Sequence, residues 1–332
     1  MDVLITGAGG FIGTHLVRDQ LRRGRRVTAI DVNVGSLEAV SGEGRLRVVE
    51  ADFGDDRRVD PHLAGQQICF HLASRHLETG ASEQEYREVN VEGAARLTRR
   101  CHAAGVGRFV HCSSVGVFGD APPKPADETT KPAPEIGYER TKLAGEQTVL
   151  AYGRAVGYPV VVIRPAWVYG PGCPRTRKLY HSLTNGTFFY VGDGTNLRHP
   201  IFIDDMLEGF ELAANHPNAV GEVFIMAGPN PVELRRLVEN MASLIGRKPP
   251  RMRLPRPVVW TGAWILERLF GVIGRNAPFS TRSLKFFSGD AAFSTEKARR
   301  LLGFVPRVDL EEGLRRTLSD LPHQGGLPSA SK

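Results

Sequence analysis

Asp2-Val-Leu-Ile-Thr6-Gly7-Ala-Gly-Gly10-Phe11-Ile12-Gly13 is the stretch that decides the fold. A short apolar strand runs directly into glycines spaced by two residues. From Phe11 to Arg23 the chain then carries Ile12, Leu16, Val17 and Leu21 at helical spacing. In this strand–turn–helix setting Gly7 permits the tight turn, Gly10 lets the backbone approach a pyrophosphate, and Gly13 allows close packing of helix on sheet. A second strand, Arg26 to Ile30, ends at Asp31. A carboxylate there accepts from both ribose hydroxyls of a dinucleotide and repels a 2′-phosphate, which favours NAD over NADP. Asp52-Phe53, after the third strand, are placed to flank the adenine, although a lone Asp is also a common turn residue.

Further strand-like runs follow at Leu46 to Glu50, Ile68 to Leu72, Phe109 to Ser113 and Val160 to Arg164, with helical stretches between most of them. Short apolar strands alternating with helices predict an α/β fold, a doubly wound parallel sheet of the Rossmann type. After Pro165 the texture changes to short strands, helices and proline-rich connections such as Lys248-Pro249-Pro250, which suggests a smaller mixed α/β substrate domain. The expected division is a nucleotide-binding domain over 1–170, to which 200–228 returns, a substrate-binding part over 171–199 and 229–322, and a disordered tail over 323–332. Val258 to Ile273 is the most apolar helix candidate but falls short of a bilayer span. It reads as a helix packed in the substrate domain, as an apolar lid, or as a helix resting on a membrane surface.

The 332 residues exceed the usual size of one core. A formal charge of +7 raises nucleic acid or membrane as partners, but the basic residues are scattered, so neither is expected beyond peripheral membrane contact. The densest cluster, Arg22 to Arg26, falls at a helix end and reads as a solvated terminus rather than a phosphate patch. Cys69, Cys101, Cys112 and Cys173 show no metal-ligand spacing, and no metal is expected. The first strand begins at once, with no signal-peptide pattern before it, so a reducing cytoplasm is the expected location.

Tyr138-Glu-Arg-Thr-Lys142 places a phenol and an ammonium on one helical face. The cation is expected to hold the phenol nearer its anionic form and so suit it as a base for a substrate hydroxyl.

Taken in order, Gly7 to Gly13, Asp31, Asp52-Phe53, His71-Leu-Ala-Ser74, Asn90-Val-Glu-Gly93, Ser113 to Gly119, Tyr138 to Lys142, Arg164 to Pro171, Phe202 to Asp205 and Lys297 to Phe304 resemble the extended short-chain dehydrogenase/reductase family, also called the NAD-dependent epimerase/dehydratase family. The resemblance covers nearly the whole chain. It implies that Tyr138 is the catalytic acid/base, that Lys142 binds the nicotinamide ribose, and that Ser114 hydrogen-bonds the reacting oxygen. It also implies NAD contacts at Gly7, Gly10, Phe11, Ile12, Gly13, Asp31, Asp52, Phe53, Leu72, Ala73, Ser74, Asn90, Ser113 and Pro165, and a homodimer. Arg75, Trp167 and Arg198 are the implied substrate residues. Phe118 stands where many members carry a tyrosine.

Family resemblance does not choose the reaction. Trp167 replaces an asparagine that serves the sugar diphosphate in many nucleotide-sugar enzymes, and it adds apolar surface. Ala277 to Arg282, Phe286 to Asp290 and Phe293 to Lys297 look like the tail of 3β-hydroxysteroid and sterol-carboxylate dehydrogenases. Arg198 points the other way, because nucleotide-sugar enzymes place a diphosphate-binding arginine there, with Arg175, Arg177 and Lys178 near in sequence. The sequence thus predicts an NAD-dependent alcohol/ketone oxidoreductase on a hydrophobic small molecule, with a nucleotide-sugar epimerase or dehydratase as the alternative.

Overall fold

The computed structural model describes residues 1–40, 44–76, 82–120, 122–272 and 289–321. The 323–332 tail and the 277–282 motif lie outside the described residues. In chain order the nucleotide-binding half contains β1 (Asp2–Thr6), α1 (Phe11–Arg22), β2 (Arg26–Asp31), β3 (Leu46–Glu50), α2 (Asp56–Val59) and β4 (Ile68–His71). It continues through α3 (Glu83–Arg87), a π-helical turn at Glu88–Gly93, α4 (Ala94–Ala103), β5 (Arg108–Cys112), α5 (Gly137–Val156) and β6 (Val160–Pro165). The later chain forms β7 (Trp167–Tyr169), α6 (Pro174–Thr184), β8 (Tyr190–Val191), β9 (Leu197–Arg198), β10 (Pro200–Phe202), α7 (Ile203–Asn215) and β11 (Val223–Met226). After these come β12 (Val232–Glu233), α8 (Leu234–Leu244), β13 (Arg253–Leu254), α9 (Arg256–Val272), α10 (Glu296–Leu302) and α11 (Leu310–Leu318).

Seven strands form one sheet in the order β11-β6-β5-β4-β1-β2-β3, and every pairing in it is parallel. The strand order reverses between β1 and β4, so the carboxyl ends of these two strands bound the crevice where such sheets bind ligands. The central strands are buried on both faces, as their unbroken apolar runs require. β3 differs because it is an edge strand, and Val48 is exposed on it. One face of the sheet packs Val3, Ile5, Leu16, Val17 and Phe210, and the other packs Leu4, Cys69, Leu97, Phe109 and Val149.

β11 returns to the sheet beside β6, with Val223 opposite Val162 and Met226 opposite Pro165. The short pairs β7–β10, β9–β12 and β8–β13 lie outside that sheet. On α9, Val259 and Ala263 are buried against Val191, whereas Val258, Trp264 and Ile265 are exposed, so this helix buries only part of its apolar surface.

The Arg22–Arg26 cluster does more than end a helix. Arg25 is 13% exposed and bonds Glu211 of α7 at 2.7 Å, Arg23 pairs with Asp19 at 2.7 Å, and Arg26 with Asp2 at 2.8 Å. Part of the local positive charge is therefore spent on fastening α7 to α1, and only Arg22 and Arg26 remain largely exposed. The four cysteines are buried free thiols. No helix among the described residues is long and apolar enough to cross a membrane.

Candidate active site

The turn after β1 is a cradle that side chains would fill. Gly7 has a φ of +72°, and a Cβ there would sit 2.5 Å from the Ala73 amide nitrogen. A Cβ on Gly13 would meet the Gly7 carbonyl oxygen at 2.0 Å, which is the helix-on-turn packing expected of the third glycine. Gly10, the N-cap of α1, faces open space apart from the Gly7 oxygen at 3.3 Å, so its backbone can be approached. The sequence reading missed Gly9, where a Cβ would lie 1.9 Å from the Asn33 carbonyl oxygen. Its signal was the second glycine of the Gly9-Gly10 pair.

Asp31 closes this cradle from β2, accepting from the Gly9 amide at 2.9 Å and the Asn33 amide at 3.0 Å. Asp52 accepts from the Gly54 amide at 2.7 Å and so closes its own turn, which is the plainer of its two readings. Phe53 is buried with its ring edge-on to His71 at 4.9 Å. Leu72 and Ala73 follow β4 along the far wall of the cradle, with the Leu72 amide bonded to the Thr6 carbonyl at 3.0 Å. Phe11 and Ile12 open α1 and are half-buried. Ser113 Oγ is buried at the end of β5 with no hydrogen-bond partner among the described residues. A steric cradle built from glycines, a carboxylate at the end of β2 and an orphaned hydroxyl are what a bound dinucleotide would complete, so these residues fit NAD.

Asn90 lies in the π-helical turn, a distortion that recurs at functional sites. Its side chain accepts from the Arg75 amide at 2.8 Å and donates to the Arg75 carbonyl and to Thr141 Oγ1, each at 3.2 Å. It thereby ties the loop after β4, including Ser74 and Arg75, to α5. The Arg75 side chain pairs with Glu85 at 3.2 Å. Gly145 makes the crossing possible, because a Cβ there would sit 2.2 Å from the Asn90 carbonyl oxygen.

α5 presents Tyr138 and Lys142 one turn apart, and Ser114 hydrogen-bonds the Tyr138 phenol. Ser114 Oγ also accepts from the Gly116 amide at 3.0 Å, which fixes its rotamer. The buried Lys142 ammonium donates to the Cys112 carbonyl. Burial pushes the Tyr138 phenol above its ordinary value, Cys112 adds to this, and Arg175 leads the opposing influences, ahead of the Ser114 hydrogen bond. Burial likewise lowers the Lys142 pKa, against the pull of Cys112 and Glu146.

Of the residues expected to meet substrate, Trp167 begins β7 with its ring 6.0 Å from that of Tyr169, and it pairs with Pro200. Arg198 on β9 is buried, held by a strand that the 289–293 segment braces through Leu197 and Asp290. Burial first, then Arg175, pushes Arg198 down to about 10, while Asp290 and Asp120 oppose this. His76 stands edge-on to Tyr138 with ring centroids 5.0 Å apart. Desolvation, then Arg175 and Lys142, pushes its imidazole down to about 4. The sequence reading did not single out His76, because a loop histidine carries no spacing signal.

A dinucleotide cradle at the switch point of a doubly wound sheet, with a hydroxyl, a phenol and an ammonium gathered beside it, defines a nucleotide-dependent oxidoreductase fold. The chain belongs to the NAD dependent epimerase/dehydratase family, which matches residues 3–227. Its cofactor is NAD, and it is an enzyme of the extended short-chain dehydrogenase/reductase type. It is 30% identical over 336 residues to a 2-alkyl-3-oxoalkanoate reductase of Stenotrophomonas maltophilia, covering 95% of this chain and 98% of that protein. It is also 30% identical to a 3 beta-hydroxysteroid dehydrogenase/Delta 5-->4-isomerase of Mycobacterium tuberculosis, covering 95% of this chain and 89% of the relative. Among solved structures, MoeE5 in complex with UDP-glucuronic acid and NAD is similar with a TM-score of 0.77 and 27% identity, covering 96% of this chain and 98% of that one.

Proposed function

We propose that the protein interconverts a secondary alcohol and a ketone on a hydrophobic small molecule. The observation that carries this reading is Trp167, an indole at the start of β7 beside the β9–β10 segment that holds Arg198. An indole offers apolar area where a sugar diphosphate needs an amide, and burying apolar surface gives roughly 25 cal/mol per Å². The oxoalkanoate reductase and the hydroxysteroid dehydrogenase among its relatives support the same class. We assign the substrate-binding part to 171–199 and 229–322.

Bound NAD supplies the hydride acceptor. Gly7, Gly10, Gly13 and Asp31 would hold its pyrophosphate and adenosine ribose, and Lys142 its nicotinamide ribose. Tyr138 Oη takes the hydroxyl proton as the carbinol carbon loses hydride, and returns it in the reverse direction. Ser114 Oγ orients the reacting oxygen through the same hydrogen-bond network that fixes the phenol.

A nucleotide-sugar epimerase or dehydratase is the second reading, favoured by the buried guanidinium of Arg198 and the likeness to MoeE5. Stopped-flow absorbance separates the two. NADH that forms with sterols or long-chain 3-hydroxy compounds and exchanges freely with solution supports the oxidoreductase. Conversion of UDP- or dTDP-sugars on retained NAD, with no NADH from the first panel, overturns it.

A further inference from the structure

α9 is apolar on two sides, and only one of them is packed. Val259 and Ala263, one turn apart, are buried against Val191 of β8. Val258, Thr261, Ile265 and Arg268 recur every three or four residues and so share the opposite face, with Trp264 beside them. All five are exposed, Val258 at 59%, Trp264 at 53% and Ile265 at 45%. Met252, just before β13, is exposed as well. A helix that is apolar all round is ordinarily covered on every side, yet among the described residues this outer face stays open to water. The charge of the same segment is of one sign. From Met241 to Val272 the chain carries Arg247, Lys248, Arg251, Arg253, Arg256 and Arg268 against a single carboxylate, Glu267. Basic residues occur all along the chain, but five of its seven excess positive charges fall in this one segment. All six cations are exposed. β13 pairs with β8, on which α9 packs, so the cations at 251–256 stand at the start of the apolar face, and the Arg268 guanidinium lies 5.2 Å from the centre of the Trp264 ring farther along it.

We propose that the outer face of α9 docks on the surface of an anionic lipid bilayer, with Val258, Trp264 and Ile265 entering the headgroup boundary and the exposed cations meeting lipid phosphates. The combination of the two features selects this occupant. Apolar side chains gain by leaving water, an indole sits well where one side is apolar and the other wet, and arginine keeps its charge at the headgroups while its stem lies along apolar surface. An anionic leaflet attracts each cation held near it. A second copy of this chain would cover the apolar side chains but would set like charge against like, which is repulsive. Nucleic acid would satisfy the cations and leave the indole, isoleucine and valine in water. At 17 residues α9 is too short and too interrupted to cross a bilayer, so the contact is with the surface. The proposal holds whichever substrate the catalytic site takes.

The test is co-sedimentation of the full chain, loaded with NAD, with vesicles of phosphatidylcholine alone and with vesicles that contain about one third phosphatidylglycerol, at about 0.1 M salt. The anionic vesicles are expected to bind it at least about tenfold more tightly, and added salt should weaken that binding. Trp264→Ser combined with Ile265→Ser should lower the binding by about tenfold or more through loss of the inserted apolar surface. Lys248→Gln combined with Arg251→Gln and Arg253→Gln should lower it by at least about tenfold through loss of attraction. Unchanged NAD affinity reports that both variants are folded. Absence of binding to either vesicle, equal binding to both, or full binding by the variant with fewer cations overturns the proposal. Binding that survives loss of Trp264 and Ile265 overturns it too, because a basic patch alone would then suffice. So does a dimer in lipid-free sedimentation equilibrium that the Trp264→Ser and Ile265→Ser changes dissociate, since a second copy would then be the occupant. None of these results bears on NADH formation, so the alcohol/ketone reading stands or falls separately.

Discussion

Arg164 and Glu146 form a two-pronged ion pair in the interior, one helical turn beyond Lys142, with side chains only 6% and 2% exposed. The Phe118 ring lies 5.0 Å from the guanidinium carbon and covers it. Phenylalanine at a position often held by tyrosine thus packs against a buried cation. Glu146→Ala strands that cation and should cost about 3–5 kcal/mol, whereas the double replacement Glu146→Leu with Arg164→Met should cost much less. Urea denaturation of both variants checks this, and equal losses would remove the claim that an unpaired charge is the cause.

Gly145 against the Asn90 carbonyl sets how closely α5 approaches the π-helical turn. Gly145→Ala should destabilise the fold by about 1–3 kcal/mol, the usual cost of overpacking. Because Asn90 holds the Arg75 backbone, NAD affinity should weaken in the same variant. An alanine tolerated in both measurements would contradict the 2.2 Å approach.

Buried histidines make the fold sensitive to acid; besides His76, burial holds His71, His111 and His199 below the ordinary imidazole value. Burial first, and Lys142 second, pushes His71 down to about 3, and burial, against a hydrogen bond to the Gly228 carbonyl, pushes His199 down to about 4. In the unfolded chain a histidine titrates near about 6.5. Between those values the unfolded chain binds more protons than the folded one. The stabilisation is therefore fully present above about pH 6.5 and is lost as pH falls, by up to about 1.4 kcal/mol per pH unit for each histidine. Urea midpoints measured from about pH 7.5 down to pH 5 should show this slope, and His71→Gln should lessen it by the share of one histidine.

Tyr138→Phe removes the hydroxyl proposed to carry the proton and leaves the ring contacts with His76 and Tyr86 in place. Turnover should fall by about a hundredfold or more while NAD binding stays nearly intact. Near-normal turnover in this variant is the result that refutes the assignment.

Asp31→Ser should weaken NAD binding and narrow the gap to NADP, since the carboxylate that repels a 2′-phosphate is gone. The same change frees the Gly9 and Asn33 amides, so part of the loss reflects a loosened turn. Fluorescence titration of wild type and variant with both cofactors measures each effect. Tighter binding of NADP by the wild type contradicts the role given to Asp31.

The sequence by itself determined the sheet and its cradle. Strand, glycine turn and helix are local events: the apolar run, the spacing of Gly7, Gly10 and Gly13, and the period of α1 are all written within a few neighbouring residues. Tyr138 and Lys142 were legible for the same reason, since four residues on one helix share a face whatever surrounds them. What surrounds them was decided by tertiary structure. Gly9 is pinned by Asn33, Gly145 by Asn90, the Tyr138 ring stands edge-on to His76, and the Lys142 ammonium donates to the Cys112 carbonyl. Each of these pairs joins segments far apart in the chain, and the strength of a charge interaction or a steric limit depends on distance in space, which residue spacing does not record.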